Sequence, residues 1–529
     1  MPLLTLITFS PLVAALVVAL IPRSAARSHG LVTFLLSLIP FALSLQLLAA
    51  FDAANTGFQL VEQAEWIPEI GVGYRVGVDG ISLFLVLLTT FLVPIVALAG
   101  WGDVRKSTKE YNVLLLLMET GMLGALVATD LFLFYVFWEV MLIPMYFLVG
   151  IWGGENRIYA AVKLLLYTMV GSLLMLVAVL YLVWANTQAT GQVTFDLVRL
   201  YELGLPLETQ RWLFAAFALA FAIKVPMFPL HTWLPDAHTE APTGGSVILA
   251  GVLLKMGTYG FLRFAIPLFP HAAVEAMPLL AALATIGIVY GALVCMIQPD
   301  MKRLIAYSSV SHLGFVMLGM AALNVQGVQG SIYQRLEHVL STGALFLAVG
   351  VIYERRHTRL ISEFGGLWAQ LPIYGGIFMV VMLSSVGLPG LNGFVGEFLI
   401  LLGAFEAYPW AAVVAVSGVI LGAVYLLWMF QRVMLGPLDN PANQQLEDLS
   451  LREIAVFAPL IVMMFVMGLY PQPFLSRMEP TVVAYLDELR AKVATVQVVE
   501  PTVLEIDAML AGSGDHEVAL ARPEEGASR

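Results

Sequence analysis

The chain has 529 residues, of which 60% are hydrophobic and 12% are charged. Soluble proteins carry roughly twice that charged fraction, so the composition excludes an ordinary soluble enzyme and indicates many membrane-spanning segments. The formal net charge of -11 argues against a nucleic-acid partner, because nucleic-acid binding needs basic patches. The one cysteine, Cys295, cannot form a disulfide within the chain or hold an iron–sulfur cluster or a structural zinc ion.

Apolar segments that could span a membrane recur along the whole chain. A spanning helix needs about 20 mostly apolar residues, and about fourteen segments meet this requirement. No basic residues precede the first of them, so we interpret it as a spanning helix and not as a signal peptide. The expected spans lie roughly at 3–20, 31–50, 78–99, 112–129, 131–151, 158–184, 211–233, 241–266, 277–297, 303–322, 331–353, 372–402, 408–431 and 452–470.

The polar segments between and after these spans differ in character. The stretch at about 51–76 combines glycines with β-branched residues, which predicts a hairpin or an irregular loop. Residues at about 481–495 are expected to form an amphipathic helix on the surface, and the chain from about 511 is expected to be a disordered tail. Lys and Arg are concentrated in the loops that follow odd-numbered spans. This predicts that those loops face the cytoplasm and that both termini face the opposite side.

Two spans are interrupted by helix-breaking residues, at Pro226 in the seventh and at Pro389 and Gly390 in the twelfth. Two broken helices five spans apart are typical of an inverted repeat, because an odd shift reverses the orientation of the second unit. We therefore predict an all-α polytopic membrane protein with two inverted five-helix repeats, each containing a broken helix. The expected regions are 1–110 with three helices and an outer loop, 111–270 as the first repeat, 271–435 as the second repeat, and 436–529 with the last spanning helix, the amphipathic segment and an acidic tail.

Titratable side chains inside the spans are the strongest functional signal. A charge at mid-membrane depth costs at least a few kcal/mol, so such residues by default mark ion or proton pathways. The alternatives are a structural ion pair for Glu139, a satisfied core position for His312, and snorkelling to the membrane interface for Lys224 and Lys163. The predicted proton-relay residues are Glu139, Lys224, Lys255, His312, His338 and Glu397, with Glu119 and Lys163 as accessory residues.

The local context of these residues sharpens the prediction. Glu139 lies deep in the fifth span and Lys224 beside the first break, so the carboxylate is expected to stabilise the charged lysine. A serine-rich turn precedes His312, whose imidazole can bind and release a proton near neutral pH. Glu397 follows the second break and corresponds roughly to Lys224 in the other repeat. Glu337, beside His338, is expected at the membrane edge.

No motif of a soluble enzyme competes with this interpretation. The sequence has no phosphate-binding loop, no dinucleotide fingerprint and no paired histidines at metal-ligand spacing on one helix. His231 and His238 lie near Asp236 and Glu240 in a polar crossing. We expect a hydrogen-bonded loop there in preference to a metal site.

Five long segments of the sequence resemble the antiporter-like subunits of respiratory complex I, over about residues 75–470. They are FLFYVFWEVMLIPMYFLVGIWGGENRIYAAVKLLLYT, KVPMFPLHTWLPDAHTEAPTGGSVILAGVLLKMGTYG, YSSVSHLGFVMLG, ALFLAVGVIYERRHTR and LPGLNGFVGEFLIL. The related chains L and N generally have a lysine in the broken twelfth helix, whereas Glu397 stands there in this chain and resembles the branch called chain M or chain 4. The sequence departs from the family at Val339, where a glycine usually follows the histidine.

The resemblance implies a role for each candidate. Glu139 and Lys224 would modulate proton entry, Lys255 would be the central relay, and Glu397 would control exit after His312 and His338. NADH, flavin, iron–sulfur clusters and quinone would be bound by other subunits, so this chain would carry no cofactor and no metal. It would be a non-redox, proton-translocating subunit of an NADH-quinone oxidoreductase in a bacterial inner membrane, with chains L and N and the lipid bilayer as its partners.

Three other functions are weighed against this one. The first is a cation/proton antiporter subunit that works without redox input, and Glu397 in place of lysine counts against it. The second is a passive scaffold in which buried charges only hold helices together. The third is a transporter of an organic solute, which would need a midplane cluster of binding groups, whereas the polar residues here are expected to form a line.

Overall fold

The structure, a computed structural model, describes residues 2–496. Within this range the chain is helical apart from one two-stranded hairpin, as predicted, and twelve helices are long and apolar enough to cross a membrane. Contacts define a compact unit, Met1–Leu486, and a second unit that begins at Asp487, of which only part of one helix is described. The predicted tail from about residue 511 lies outside the described residues.

The helices follow one another through short connections. In chain order they are α1 (Leu3–Leu20), α2 (Ala26–Ala50), α3 (Leu83–Gly100), α4 (Thr108–Val127), α5 (Leu131–Trp152), α6 (Arg157–Thr190), α7 (Leu207–Lys224), α8 (Trp233–Glu240), α9 (Thr243–Leu268), α10 (Pro270–Met296), α11 (Met301–Ala321), α12 (Val325–Arg356), α13 (Pro372–Val386), α14 (Gly393–Ala407), α15 (Pro409–Met434), α16 (Leu451–Leu469) and α17 (Gln472–Val496). Single helical turns at Leu197–Leu200, Leu367–Gln370, Pro68–Ile70, Ile361–Glu363 and Pro441–Asn443 lie in the connections. Continuous helices do not reach the predicted count of about fourteen spans, because α7 with α8 and α13 with α14 are interrupted.

The polar stretch after α2 forms the predicted hairpin. Strand β1 (Gln59–Ile67) pairs antiparallel with β2 (Val72–Val78), and Gly71 takes a left-handed φ of 73° at the turn. The hairpin is tied to the start of α5, where the Arg75 guanidinium forms an ion pair with Asp130 at 2.6 Å.

The first helix break lies between α7 and α8. Helix α7 ends at Lys224, and Pro226 cannot continue it because proline lacks the backbone N–H of a helical turn. The break leaves the Ile223 carbonyl without a helical partner, and the indole Nε1–H of Trp233 in α8 donates to it at 2.9 Å. An unsatisfied backbone group at membrane depth is thereby avoided.

The second break lies between α13 and α14 and has a different construction. Gly387 has a left-handed φ of 83°, and the N–H of Leu388 donates to the Leu383 carbonyl at 3.1 Å, which is a Schellman motif. Pro389 and Gly390 then form a tight turn, in which Gly390 takes a φ of 95°. Both breaks therefore fall at the predicted residues.

Two aspartates build matching connections five spans apart. Asp130 caps α5 by accepting the N–H groups of its first turn, and Asp300 caps α11 in the same way. In both places the backbone N–H of the first residue of the capped helix donates to a backbone carbonyl in the loop that follows the next helix. The acceptors are Phe195 after α6 (2.8 Å) and Arg359 after α12 (3.0 Å). This repetition supports the proposal that 111–270 and 271–435 are related units.

The connections gather at two opposite ends of the helices, to which we give fixed names. Helix α9 runs from the cavity face to the hairpin face, and α12 runs in the reverse direction. The hairpin face comprises residues 51–82, 128–130 and 191–206, and the cavity face comprises residues 101–107, 153–156, 241–242 and 357–366.

The last helix begins earlier in the chain than predicted. Helix α17 begins at Gln472, before the predicted start at about 481, because the apolar stripe of an amphipathic helix already covers its first turns. Met478 and Thr481 are buried, and the Thr481 hydroxyl accepts the Gly80 N–H at 3.3 Å. This part of α17 therefore packs against the hairpin face.

Candidate functional site

Lys255 lies at the centre of the polar groups inside the protein. Its side chain is 1% exposed, and its Nζ donates to the Ala250 carbonyl and lies 2.7 Å from Nδ1 of His338. Two π-helical segments of α9, Leu249–Leu253 and Phe261–Ala265, flank this lysine. A π-helical turn departs from the regular hydrogen-bond pattern, which makes a carbonyl such as that of Ala250 accessible to a side chain.

A line of titratable groups continues from Lys255 into the second half of the chain. The rings of His338 and His312 meet edge to face with their centroids 5.6 Å apart. Nδ1 of His312 lies 3.0 Å from Oε1 of Glu397, and the amide of Gln334 donates to the same oxygen at 3.1 Å. The structure therefore brings together four of the predicted residues, Lys255, His338, His312 and Glu397.

The second break positions Glu397, and Glu337 takes part in this arrangement. Glu337 is fully buried, and its carboxylate oxygens accept the Gly396 N–H at 3.1 Å. The amide of Asn392 donates to the Glu337 carbonyl at 3.1 Å and accepts from the Ser384 hydroxyl at 2.5 Å. The predicted place of Glu337 at the membrane edge is wrong, because α12 starts at Val325 and the residue lies three turns inside it.

Glu139 and Lys224 lie on neighbouring helices but do not share a direct ion pair. The Ser172 hydroxyl on α6 donates to Oε1 of Glu139. Nζ of Lys224, which is buried, lies 5.1 Å from the centroid of the Trp138 ring. Among residues 2–496 no ion pair within 4.0 Å joins Glu139 to Lys224, although the carboxylate still acts electrostatically on the lysine.

The two accessory residues have different surroundings. Lys163 forms an ion pair with Asp236 on α8 at 2.7 Å, so it does not simply extend to the membrane interface. Glu119 is fully buried, and within the described part of the chain neither of its carboxylate oxygens has a hydrogen-bond partner. On the same helix, Tyr111 lies eight residues before Glu119 and its hydroxyl is next to Gly244 of α9. The Leu126 carbonyl, seven residues after Glu119, accepts a hydrogen bond from the Tyr259 hydroxyl of α9. Glu119 therefore lies on the face of α4 that packs against α9.

A cavity of about 540 Å³ opens at the cavity face. It reaches Tyr111 on α4 and the start of α9, where Lys302 donates to the Ala241 carbonyl. Its charged lining contains both signs, with the acidic residues Asp103, Glu240, Glu354 and Glu453 and the basic residues Arg105, Lys106, Lys302, Arg359 and Arg452. On α4 the cavity therefore reaches Tyr111, eight residues before Glu119.

The two histidines near the first break pack against aromatic rings. His238 stacks on Phe346 with the centroids 4.6 Å apart, and His231 meets Tyr290 at 5.0 Å. The hydrogen-bonded loop expected here is wrong for these two side chains, because across the described chain their ring nitrogens have no hydrogen-bond partner. His238 also lies within the helix α8 and not in a loop.

Three further buried groups near Lys255 were not singled out from the sequence. Arg335 precedes His338 by three residues on α12 and is fully buried. Arg263, in the same helix as Lys255, forms an ion pair with Asp79 at 2.5 Å. Arg335 lies three residues before His338 and Arg263 lies eight residues after Lys255, and both spacings place the residue on the same helix face as its neighbour. This spacing is the sequence signal that indicates the two arginines.

Comparisons with known proteins show the family of the chain. Residues 128–422 match the family model described as NADH:quinone oxidoreductase/Mrp antiporter, transmembrane. The chain is 48% identical to NADH-quinone oxidoreductase subunit M of Rhodobacter capsulatus, over 93% of this chain and 98% of that one. It is 46% identical to NADH-ubiquinone oxidoreductase chain 4 of Arabidopsis thaliana, over 89% and 94%.

A solved structure gives the same result for the fold. A chain of respiratory complex I from Thermus thermophilus with bound NADH superimposes with a TM-score of 0.83 at 36% identity. The superposition covers 92% of this chain and all of the other.

Proposed function

The chain belongs to the NADH:quinone oxidoreductase/Mrp antiporter transmembrane family, and from this premise we infer that it is a proton-translocating subunit in the membrane arm of an NADH-quinone oxidoreductase. The observation that carries this function is the line of buried titratable groups from Lys255 through His338 and His312 to Glu397. Such groups are expensive inside a membrane and occur as relays in proton pumps.

The central transfer takes place between Lys255 and His338. The ammonium group of Lys255 points at Nδ1 of His338 over 2.7 Å, a distance at which a proton moves along an existing hydrogen bond. The N–H bond at Nζ breaks as an N–H bond forms at Nδ1, which must carry no proton beforehand. Lys255 is then neutral and can be protonated again by transfer from Lys224.

The onward transfers lead to Glu397. His338 passes its proton to His312, whose ring lies at 5.6 Å between centroids, directly or through one bridging water molecule. Nδ1 of His312 then transfers the proton to Oε1 of Glu397 over 3.0 Å. Gln334 holds the carboxylate in place during this step by donating to the same oxygen.

Glu139 and Lys224 couple this line to redox chemistry in other subunits. A carboxylate 4 Å from an ammonium stabilises it by about 4 kcal/mol at an effective dielectric constant of 20. This energy falls as the two groups separate. A change in the Glu139–Lys224 distance therefore changes the free energy that is needed to move a proton from Lys224 toward Lys255.

The rest of the assignment concerns the surroundings of the chain. The cavity face lies at the cytoplasm and both termini lie on the opposite side of a bacterial inner membrane, because the basic loops cluster at that face. The related chains L and N are the neighbours in the membrane arm. NADH, flavin, iron–sulfur clusters and quinone are bound by other subunits, and this chain takes part without redox chemistry of its own.

The test is proton pumping by the complete enzyme with Lys255→Ala. In inverted membrane vesicles, we expect NADH oxidation to continue at a reduced rate and the protons moved per NADH to fall. The matched control is Arg432→Ala, which removes an exposed cation on α15. Full pumping by an assembled Lys255→Ala enzyme would contradict the proposal.

Two alternatives give different results. A cation/proton antiporter, the other activity in the family description, would not co-purify with flavin and iron–sulfur subunits. A passive scaffold predicts that charge-neutralising variants reduce assembly, while the surviving complexes keep the normal ratio of protons to NADH.

A further inference from the structure

A second polar track leads away from Lys255, toward the hairpin face. Lys255, Tyr259 and Arg263 recur every four residues and so share one face of α9. Nε of Arg263 donates to the Tyr259 hydroxyl at 3.1 Å, and its Nη2 pairs with Asp79. We call Lys255, Tyr259, Arg263 and Asp79 the direct track, because they lie in this order between the lysine and the hairpin face without involving the second half of the chain.

The far end of the direct track is rigid and nearly free of solvent. Arg263 is 5% exposed and Asp79 is 4% exposed. Asp79 also accepts the backbone N–H groups of Ile81 and Ser82 at 3.0 and 3.1 Å, and the Phe58 ring lies 4.8 Å from the guanidinium of Arg263. The two opposite charges balance one another, so this pair alone adds little net charge to the track.

The net charge beside the direct track comes from Arg335. This residue is fully buried on α12, three residues from His338 on the side of the hairpin face. It donates to the Ser331 hydroxyl at 3.3 Å, and in the described chain its Nε and Nη1 atoms have no hydrogen-bond partner. A guanidinium cannot lose its proton in a protein, so this positive charge is permanent. It acts electrostatically on both Lys255 and Tyr259.

The other route from Lys255 has a different electrostatic character. Around the second break the buried titratable groups are the carboxyl side chains of Glu337 and Glu397. Within residues 2–496, no lysine or arginine forms an ion pair with either of them. A proton leaving Lys255 therefore meets the fixed positive charge of Arg335 along the direct track, whereas among the described residues no lysine or arginine is paired with the groups on the way to Glu397.

We infer that Arg335 is a positioning residue for proton direction: its fixed charge blocks the direct track from Lys255 to the hairpin face and sends the proton to His338 instead. This inference rests on the proposed function. It assigns to a buried arginine the task of preventing a leak, which is distinct from the task of carrying protons.

The experiment measures passive proton leak in the absence of NADH. The complete complex is reconstituted in liposomes, a pH gradient is imposed, and its decay is followed with an internal pH dye. Arg335→Met removes the charge and keeps an unbranched side chain, and we expect the leak to rise about tenfold, which corresponds to a barrier lower by ~1.4 kcal/mol. Arg335→Lys keeps the positive charge, so its passive proton leak should be as low as that of the wild type.

A second pair of variants makes the test independent of folding and of the main proposal. Arg335→Gln keeps a partner for Ser331 and serves where the methionine variant does not assemble. Combining the leaky variant with Lys255→Ala should close the leak, because the direct track starts at that lysine. A leak equal to wild type in assembled Arg335→Met and Arg335→Gln enzymes overturns the inference, and so does a leak that persists without Lys255. Failure of the proposed function appears elsewhere, as normal NADH-driven pumping by Lys255→Ala alone.

Discussion

The two broken helices occupy corresponding places in the chain, but they hold their charged residues in different ways. At the first break Lys224 faces the ring of Trp138, and its expected partner Glu139 is held by a serine on another helix. At the second break Glu397 is bonded to His312 and Gln334 and lies within a line of titratable groups. The first charge is loosely coupled to its neighbours, and the second is closely coupled.

The backbone of each break explains part of this difference. At the first break Pro226 stops the helix, and the side chain of Trp233 donates a hydrogen bond to the carbonyl of Ile223, which has no helical partner. The second break uses glycines in left-handed conformations, which let the chain turn within a few residues and bring α14 against α12. Close approach of α14 is what allows the Gly396 N–H to reach Glu337 and the Glu397 carboxylate to reach His312. A helix break in each half of the chain therefore gives two different results. The charged residue beside the first break has few direct partners, and the one beside the second break is held by several hydrogen bonds.

The sharpest test of this contrast compares Glu397→Gln with Lys224→Gln. Glu397→Gln removes the carboxyl group that His312 contacts, and an amide cannot take up or release a proton there, so this variant should abolish measurable pumping. Lys224 has no direct ion pair within the described residues, so Lys224→Gln should leave partial pumping. Protons moved per NADH in vesicles provide the measurement, and equal loss in both variants would remove the distinction between the two breaks.

A smaller effect is expected from Gly387→Ala at the second break. The left-handed φ of 83° disfavours a side chain by about 1–2 kcal/mol. The added Cβ would also lie 3.0 Å from Oε2 of Glu397. We expect a lower temperature of thermal inactivation together with reduced pumping. Gly376→Ala is the control, because its Cβ would meet open space, and a comparable loss in that variant would argue against a special role for the turn.

The smallest effect is expected from Ser172→Ala at the first site. It removes the hydroxyl that donates to Glu139 and costs about 1 kcal/mol. Pumping should slow about fivefold at most, since the carboxylate itself remains. Ser417→Ala, which removes an exposed hydroxyl bonded only to its own helix, should behave as wild type. A complete loss of pumping in Ser172→Ala would mean that the Glu139 site is as closely coupled as the second one.

Much of this architecture follows from local signals in the sequence. Apolar runs of sufficient length mark the continuous helices, and Pro226, Pro389 and Gly390 mark both breaks, because their effect on the backbone depends on few neighbours. The hairpin after α2 is equally local. The predicted residues on the line from Lys255 to Glu397 could be selected because a titratable group inside an apolar span needs a reason to be there.

The remaining features depend on where helices begin and which faces meet. The apolar pattern of α12 starts near residue 331 and therefore predicts Glu337 at the membrane edge, whereas the helix begins at Val325 and its first turns are packed inside the protein. The same pattern gives no sign that Arg335 is buried. The ion pair of Arg263 joins α9 to Asp79 across a long separation in sequence, and no local pattern identifies such a partner.

The position of Lys255 between a carbonyl and an imidazole has a consequence for the speed of transfer. As an ammonium it donates to both the Ala250 carbonyl and His338. As a neutral amine it still has two N–H groups, so it can keep the bond to the carbonyl and accept one from the protonated imidazole through its lone pair. Donor and acceptor exchange roles while the heavy atoms stay in place. Under the proposed function, the lysine would therefore lose and regain its proton without moving, with little reorganisation of the side chain in each cycle.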